Sequence, residues 1–417
     1  MSQSAAFTRR QFLRWACLAG AAAVAANMEG PVKSLPPVPT GMPTAPRLPA
    51  PRGTPVPSPS ATFVPATLAP TRAPHPSPNL LRFGEEPAAA ASATPAPPAQ
   101  VALAQARTYE AVALRLQLEA MLERLGGLSQ LVRPGARVGL KVNLTGGTWW
   151  DAPGKPLATE TFVTHPAVVG ALIELLKDAG ASRIYIMEGA ADETAWDKWG
   201  YTAMARPLGA EIVSLCQPAP YLGFATVPVG SLASVYRSFT MNGRLQDVDV
   251  FVSIAKMKCH AVAGVTLALK NLIGLTPIDA YKRNPQDTNR SAFHGKYDYD
   301  TRLPRVIVDL NLARPIDLAV IDGVITCEAG AGPWDKALTQ VSPGLLVAGR
   351  DPVATDTVAT ALMGFDPQAA AQALPFIRSD NHLALAEAAG LGSNRLDEIT
   401  VAGGSVEDLR FPFKPAA

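Results

Sequence analysis

Short hydrophobic runs alternate with longer amphipathic stretches from residue 101 onward. Five of the runs predict strands, and they span residues 137–144, 183–188, 249–260, 316–322 and 345–349. The stretches between the runs predict helices, and so do residues 104–125, which precede the first predicted strand. Strands separated by helices pair mainly in parallel. We therefore expect an α/β fold with a mainly parallel sheet flanked by helices, as one body or as two lobes.

Two local patterns add detail to this prediction. Residues 261–273 are apolar except for Lys270 and are followed by Gly274, which predicts a buried helix that a glycine ends. Asp351 precedes Pro352, and this pair is typical of an N-cap followed by the first residue of a helix. The first pattern places a lysine in apolar surroundings, and the second predicts a helix after the last strand.

The first 30 residues have the pattern of an export signal. Two adjacent arginines at residues 9 and 10 precede an apolar run over residues 15–26 that ends in small residues. Residues 1–30 are thus predicted to be a twin-arginine signal, with the twin-arginine translocase as a partner and the periplasm or the outer face of the cell envelope as the destination. No later segment reaches 18 uncharged apolar residues, so we expect no transmembrane segment in the mature chain.

Residues 31–100 differ from the rest of the chain in composition. They hold about half of its 39 prolines, together with many Ala, Ser and Thr residues. Such a segment cannot bury enough apolar surface to fold, so we predict a disordered linker over residues 31–100 and a core domain over residues 101–417. The linker is either a tether to a membrane or cell wall, or a spacer without any attachment.

Charge and cysteine content exclude several classes of protein. The formal net charge is +2, and the surplus of Lys and Arg lies in the first 100 residues, so the core has no basic excess with which to bind nucleic acid. The four cysteines, Cys17, Cys216, Cys259 and Cys327, form no C-x-x-C pair. The core therefore carries no iron–sulfur or structural-zinc motif.

Polar residues follow the predicted strands, where ligands of parallel α/β sheets bind. Lys256, Lys258 and His260 share one face of a strand, and they would repel one another unless an anion or a metal compensated them. Four further residues stand at or near the ends of three other predicted strands, namely Lys141, Asn143, Glu188 and Asp322. This convergence predicts a polar site at the carboxyl edge of the sheet.

Several loop and helix residues complete the candidate set. Lys270 and Asn271 offer donors for a carboxylate or phosphate. His294 lies in a polar, aromatic loop over residues 289–299 that is suited to close over a ligand, and Glu328 precedes a glycine-rich turn. His165 is either a site residue or simply the start of a helix at Pro166, and Asp356 faces either the site or solvent.

The motifs of residues 137–392, taken in order, resemble the family called domain of unknown function 362. They are V-G-L-K-V-N-L from residue 138, T-H-P-A-V-V from 164, K-M-K-C-H from 256, L-A-L-K-N-L-I-G from 267, His294, I-D-G-V from 321, E-A-G-A-G-P from 328 and A-G-R-D-P-V-A-T-D from 348. The resemblance implies that the polar residues of these motifs are the positions to test. It implies no reaction. Relatives that carry ferredoxin-type clusters suggest electron transfer, but this chain has no such cysteine run.

These observations support a leading hypothesis and two alternatives. The leading one is an exported enzyme that acts on a small anionic substrate. Its catalytic residues would be Lys256, Lys258, His260, Lys270 and Asp322, its substrate-binding residues Lys141, Asn143 and Asn271, and its ligands for a divalent transition metal His260, His294, Glu188 and Glu328. The alternatives are a tethered binding module for an anionic solute or cell-wall component, and a redox accessory protein.

Overall fold

A ten-stranded mixed sheet organises residues 98–296 and 298–416, which are the residues that the computed structural model describes. The predicted export signal and nearly all of the predicted linker lie outside the described residues. Those that are described belong to one compact unit of the chain. Their mainly parallel sheet with flanking helices confirms the fold class predicted from the sequence.

Twelve strands are present in the described part of the chain. They are β1 (Ala99–Gln105), β2 (Arg137–Lys141), β3 (Arg183–Glu188), β4 (Glu211–Ser214), β5 (Ala225–Pro228), β6 (Ser238–Met241), β7 (Val250–His260), β8 (Gly264–Thr266), β9 (Leu318–Glu328), β10 (Thr339–Val341), β11 (Leu345–Gly349) and β12 (Ile399–Ala402). The large sheet has the order β12-β1-β11-β9-β7-β2-β3-β4, with β10 beside β9 and β8 beside β7, while β5 and β6 pair separately.

Seven strands of the large sheet run in one direction, namely β1, β2, β3, β4, β7, β9 and β12. The other three, β8, β10 and β11, run in the opposite direction. The central strands β2, β3, β7 and β9 are therefore parallel neighbours. Their carboxyl ends meet at one edge of the sheet, where the sequence predicted the polar site.

Helices cover both faces of the sheet. They are α1 (Ala111–Arg124), α2 (Pro166–Asp178), α3 (Ala195–Lys198), α4 (Tyr201–Leu208), α5 (Arg244–Asp247), α6 (Ile278–Tyr281), α7 (Tyr299–Ala313), α8 (Pro352–Leu362), α9 (His382–Ala388) and α10 (Val406–Leu409). Helices α1 and α2 pack on one face and α7, α8 and α9 on the other. No helix among the described residues is long and apolar enough to cross a membrane.

Both faces of β7 are apolar, as expected of a central parallel strand. Val252 and Ile254 pack toward α1 and α2, while Phe251 and Met257 pack toward α7 and α8. Strand β7 thereby contacts both helical layers, and its polar residues Lys256, Lys258 and His260 lie toward its carboxyl end. The N-cap predicted for α8 is confirmed, because the Asp351 carboxylate accepts the Ala354 N–H at 2.8 Å.

Two predicted helices differ from the structure. Residues 104 and 105 belong to β1, and α1 begins only at Ala111. The buried helix predicted over residues 261–273 was wrong: the chain turns at Gly264, forms β8 against β7, and then makes a 3-10 turn over Lys270–Leu275. Gly264 has a φ of +73°, and a Cβ there would lie 2.8 Å from the Phe376 ring. The tight return of this hairpin requires a glycine.

Candidate functional site

Lys256 on β7 is compensated by a carboxylate inside the protein. It lies opposite Asp322 of β9 in the sheet register, and its Nζ is 2.9 Å from Asp322 Oδ2. Both side chains are fully buried. The same Nζ donates to the Tyr109 hydroxyl and to the Thr159 carbonyl, each at 2.9 Å. An internal carboxylate, in place of the predicted anionic ligand or metal, thus compensates the charge of Lys256.

Asp322 also accepts hydrogen bonds from Tyr109 and His165. Tyr109 donates its hydroxyl to Oδ1 at 2.8 Å, and the His165 N–H donates to Oδ2 at 3.0 Å. His165 caps α2 through Nδ1, which accepts the Ala167 N–H, and its ring stacks on Tyr109 with centroids 3.6 Å apart. His165 therefore both starts a helix and supports Asp322. No sequence motif singled out Tyr109.

Lys141 forms the second buried ion pair, with Glu188 of the neighbouring strand. Its Nζ is 3.0 Å from Glu188 Oε2, and the Leu144 and Gly189 N–H groups also donate to this carboxylate. Asn271 Oδ1 accepts from Lys141 Nζ at 3.3 Å and from Asn143 Nδ2 at 3.0 Å. The structure thus brings together the three predicted substrate-binding residues, and they bond to one another.

Lys258 is buried among neutral acceptors. Its Nζ donates to the carbonyl groups of Phe162 at 2.7 Å and Ala331 at 2.8 Å, and to Asn143 Oδ1 at 3.3 Å. Burial lowers the pKa of Lys258 to about 7, and no carboxylate among the described residues hydrogen-bonds to the ammonium group. Lys258 links the Asn143 network to the glycine-rich turn that follows β9.

Lys270 differs from these three lysines because it has no hydrogen-bond or ion-pair partner in the described part of the chain. Burial, together with the positive charges of Lys258 and Lys141, lowers the pKa of Lys270 to about 7. Burial, and then the charge of Lys270, lowers the pKa values of His260, His294 and His382. These four residues form what we call the Lys270 cluster, and its lysine is available to an anion.

The imidazoles of His260 and His294 stack with ring centroids 6.0 Å apart. His260 Nδ1 accepts the N–H groups of Val262 and Ala263, each at 3.1 Å. The proton of the neutral ring therefore lies on Nε2, which is a hydrogen-bond donor. Burial, followed by the charge of Lys270, holds the pKa of His260 well below its ordinary value, so the ring stays neutral at physiological pH.

The carboxylates predicted as metal ligands have partners within the protein. Glu188 is bound by Lys141, and Glu328 accepts the Lys414 N–H at 2.8 Å while pairing with Lys414 Nζ at 3.2 Å. A metal-binding histidine normally donates its second ring nitrogen to an acceptor, whereas Nδ1 of His260 is itself an acceptor. Within residues 98–296 and 298–416, no three His, Cys, Asp or Glu side chains are grouped as metal ligands would be.

Asp356 supports the segment that leads to Lys270. Its carboxylate is fully buried and accepts the N–H groups of Ala268 at 2.8 Å and Leu269 at 2.9 Å. Burial raises the pKa of Asp356 to about 7. Asp356 therefore faces the protein interior rather than solvent, and it positions the backbone immediately before the unpaired lysine.

Replacing Lys270 with methionine is expected to stabilise the protein. The pKa of Lys270 is about 7 in the folded state and 10.5 ordinarily, so the unfolded chain binds its proton more tightly. The cost of holding the partly buried ammonium is therefore fully present below pH 7 and declines as the pH rises from 7 toward 10.5. Urea unfolding should show a gain of about 1 kcal/mol near pH 6 and a smaller gain near pH 10, since Lys270 keeps part of its contact with solvent. A gain independent of pH, or a loss of stability, would contradict this account.

Comparisons with known proteins identify a family and individual proteins that are similar to this chain. The family described as Domain of unknown function (DUF362) matches residues 138–361, which contain the Lys256–Asp322 and Lys141–Glu188 pairs. The chain is 29% identical over 271 residues to a thylakoid-associated protein of Synechocystis sp., covering 64% of this chain and 75% of that protein.

A crystal structure of a Thermotoga maritima protein is 13% identical to this chain. The likeness covers 60% of this chain and 57% of that protein, so the match spans little more than half of its length, with a TM-score of 0.28. Since the family match covers more than half of residues 1–417, this chain belongs to the DUF362 family.

Proposed function

We propose that this protein is an enzyme that binds a small anionic substrate, a carboxylate or a phosphate, at Lys270. The observation that carries the proposal is the contrast among the four lysines of the site. Lys141 and Lys256 are paired with carboxylates and Lys258 with neutral acceptors, whereas Lys270 has no acceptor within the described residues. A bound anion would supply the partner that the described residues do not.

The chemistry around Lys270 suits proton transfer. A lysine with a pKa of about 7 is a base at neutral pH as well as a cation, since its two protonation states are both populated. The Nε2–H of His260 is a donor that can stabilise negative charge on the substrate, and His294 lies beside it. The paired lysines then serve to position the loops around this centre, and they do not touch the substrate.

The location we propose is the cell envelope, reached through the twin-arginine signal of residues 1–30. The arginine pair and the apolar run support this route. The thylakoid association of the Synechocystis relative is compatible with a protein that works at a membrane system.

The proposal is tested by substrate consumption. The full chain is incubated with a mixture of small carboxylates and phosphates, and the loss of each compound is followed by mass spectrometry. We expect at least one compound to be converted, and we expect Lys270→Met to lower its rate by at least about a hundredfold, as for the loss of a general base. Lys336→Met is the matched control, because Lys336 is an exposed lysine of the loop after β9.

The outcomes separate the two main hypotheses. Binding of an anion that requires Lys270, with no compound converted, would favour the tethered binding module over the enzyme. If the Lys270→Met and Lys336→Met variants converted the compound at the same rate as the wild type, the proposed site would be overturned. Because Lys270→Met is expected to be the more stable protein, a loss of activity in this variant would not reflect unfolding.

A further inference from the structure

The backbone immediately before Lys270 is held by buried side chains. Asp356 of α8 accepts the N–H groups of both preceding residues, Ala268 at 2.8 Å and Leu269 at 2.9 Å. Ser253 of β7 donates its hydroxyl to the Ala268 carbonyl at 3.0 Å. Both side chains are fully buried. Two elements from different parts of the chain therefore fix the same short segment.

Asn311 of α7 holds the remaining carbonyl group of this segment. Its amide donates to the Leu269 carbonyl at 3.0 Å and to the Ile307 carbonyl of its own helix at 2.8 Å, and its side chain is buried. All four N–H and carbonyl groups of Ala268 and Leu269 thus bind buried side chains. The three side chains that bind them, which we call the backbone clamp, are Ser253, Asn311 and Asp356.

The residue after Lys270 is held in a similar way. The Asn271 amide donates to the Ser253 hydroxyl oxygen and to the Lys141 carbonyl, each at 3.1 Å. Ser253 therefore connects the backbone before Lys270 with the side chain that follows it. Lys270 itself is partly exposed, and its side chain has no hydrogen-bond or ion-pair partner among the residues that the structure describes. The chain is thus fixed on both sides of a lysine that is available to a ligand.

Two members of the backbone clamp are retained at a cost in stability. Burial raises the pKa of Asp356 to about 7, and no cationic side chain within residues 98–296 and 298–416 pairs with its carboxylate. The Oδ1 atom of Asn311 is buried without a hydrogen-bond partner in the same part of the chain. Unpaired buried charges and unpaired buried acceptors are both destabilising. Such costs are expected where the position of the backbone serves function.

We infer that the backbone clamp positions Lys270 for the anionic substrate. Its three members are positioning residues, because they bind the chain around the lysine and act through it. This inference rests on the proposed function and makes it more specific, since it names the residues on which Lys270 depends. A turn that is ordered before the ligand arrives binds the ligand more tightly, because no affinity is lost in ordering the turn.

The test measures two properties of Lys270 in the full chain. The first is the labelling of this lysine by acetic anhydride across a range of pH, followed by peptide mass spectrometry. Because burial and the charges of Lys258 and Lys141 hold its pKa at about 7, labelling of the wild type should have its midpoint near that pH. The second property is the affinity for acetate and for inorganic phosphate, measured by calorimetry. Labelling requires no substrate, so it reports on the clamp whether or not an anion binds.

Ser253→Ala removes one hydroxyl of the backbone clamp. We expect it to raise the labelling midpoint by about one pH unit, because a looser turn gives the ammonium more contact with water. It should also weaken anion binding about tenfold. Ser379→Ala is the matched control, because Ser379 is a buried serine whose hydroxyl donates to the Asp380 carbonyl, also at 3.0 Å. The control should leave both properties unchanged.

Asn311→Leu is the second variant of the clamp, and Asn242→Leu is its control. Asn242 is fully buried, and its amide also donates to two carbonyl groups, those of Gln217 at 2.7 Å and Ala219 at 2.9 Å. Both substitutions should lower stability, but only Asn311→Leu should shift the labelling midpoint and weaken anion binding. If Asn311→Leu does not fold, Ser253→Ala decides the test.

The outcomes separate this inference from the proposed function. If the clamp variants kept the wild-type midpoint and affinity, the inference would be overturned and the proposed function would stand. Equal shifts in the clamp variants and in their controls would also overturn the inference, because they would reflect a general loosening of the fold. If neither anion bound to the wild type while the clamp variants alone shifted the midpoint, the proposed function would fail and the control of Lys270 by the clamp would stand.

Discussion

Asp322→Asn is expected to destabilise the fold by about 3–5 kcal/mol, the range for removing one partner of a buried ion pair. The Lys256 ammonium would remain buried without a counter-ion. An asparagine amide would also present N–H groups to donors that now bind the carboxylate, among them the Tyr109 hydroxyl and the His165 N–H. Equilibrium urea unfolding of the full chain, followed by circular dichroism, measures the change.

Glu211→Gln is the control for this experiment. Glu211 pairs with Arg183 at 2.8 Å, but their side chains are 48% and 62% exposed. An exposed pair contributes less than about 1 kcal/mol, so the control should unfold nearly as the wild type does. If Asp322→Asn and Glu211→Gln had equal effects, the Lys256–Asp322 pair would not be the buried support that its contacts indicate.

Gly274→Ala is expected to destabilise the fold by a comparable amount, about 3 kcal/mol or more. A Cβ at residue 274 would lie 1.9 Å from Glu188 Oε1 and 2.7 Å from Lys141 Nζ. Neither atom can move away freely, because they belong to a buried ion pair that also holds Asn271. The methyl group would therefore separate the pair or shift the 3-10 turn that carries Lys270. Thermal and urea unfolding measure the loss of stability.

Gly223→Ala provides the matched substitution at an open position. Nothing lies within 4 Å of the Cβ that it would add, so the change should stay within about 0.5 kcal/mol. A Gly274→Ala protein as stable as Gly223→Ala would show that the Glu188 carboxylate can leave its position. Anion binding in the Gly274→Ala variant would then report whether Lys270 depends on this support.

The general fold could be predicted from the sequence because apolar strands and amphipathic helices differ in local periodicity. The partners of the buried lysines could not. Lys256 meets Asp322 because β7 and β9 are adjacent in a particular register, although 66 residues separate the two positions in the chain. From the sequence, Lys256, Lys258 and His260 looked like one group of like charge. The structure divides them into a paired lysine, a lysine bound to carbonyl groups, and a neutral histidine.

Some residues could not be predicted as site residues because the sequence around them has no distinctive pattern. Ser253 lies within an apolar strand, so its hydrogen bonds on both sides of Lys270 could not be foreseen. Asn311 lies in α7 and reaches the residue before that lysine across 42 residues of sequence. Tyr109 precedes a helix and reaches Asp322 across 213 residues of sequence. In each case the role of the residue is evident only from its contacts in the folded structure.

The direction of β1 determines at which edge of the sheet Ala99 lies. Strand β1 runs parallel to β9, so Ala99 lies at the amino-terminal edge of the sheet, whereas Lys270 lies near the opposite edge. A surface attached at Ala99 would therefore meet the edge of the sheet away from Lys270, and an anion would not have to pass that surface to reach the lysine.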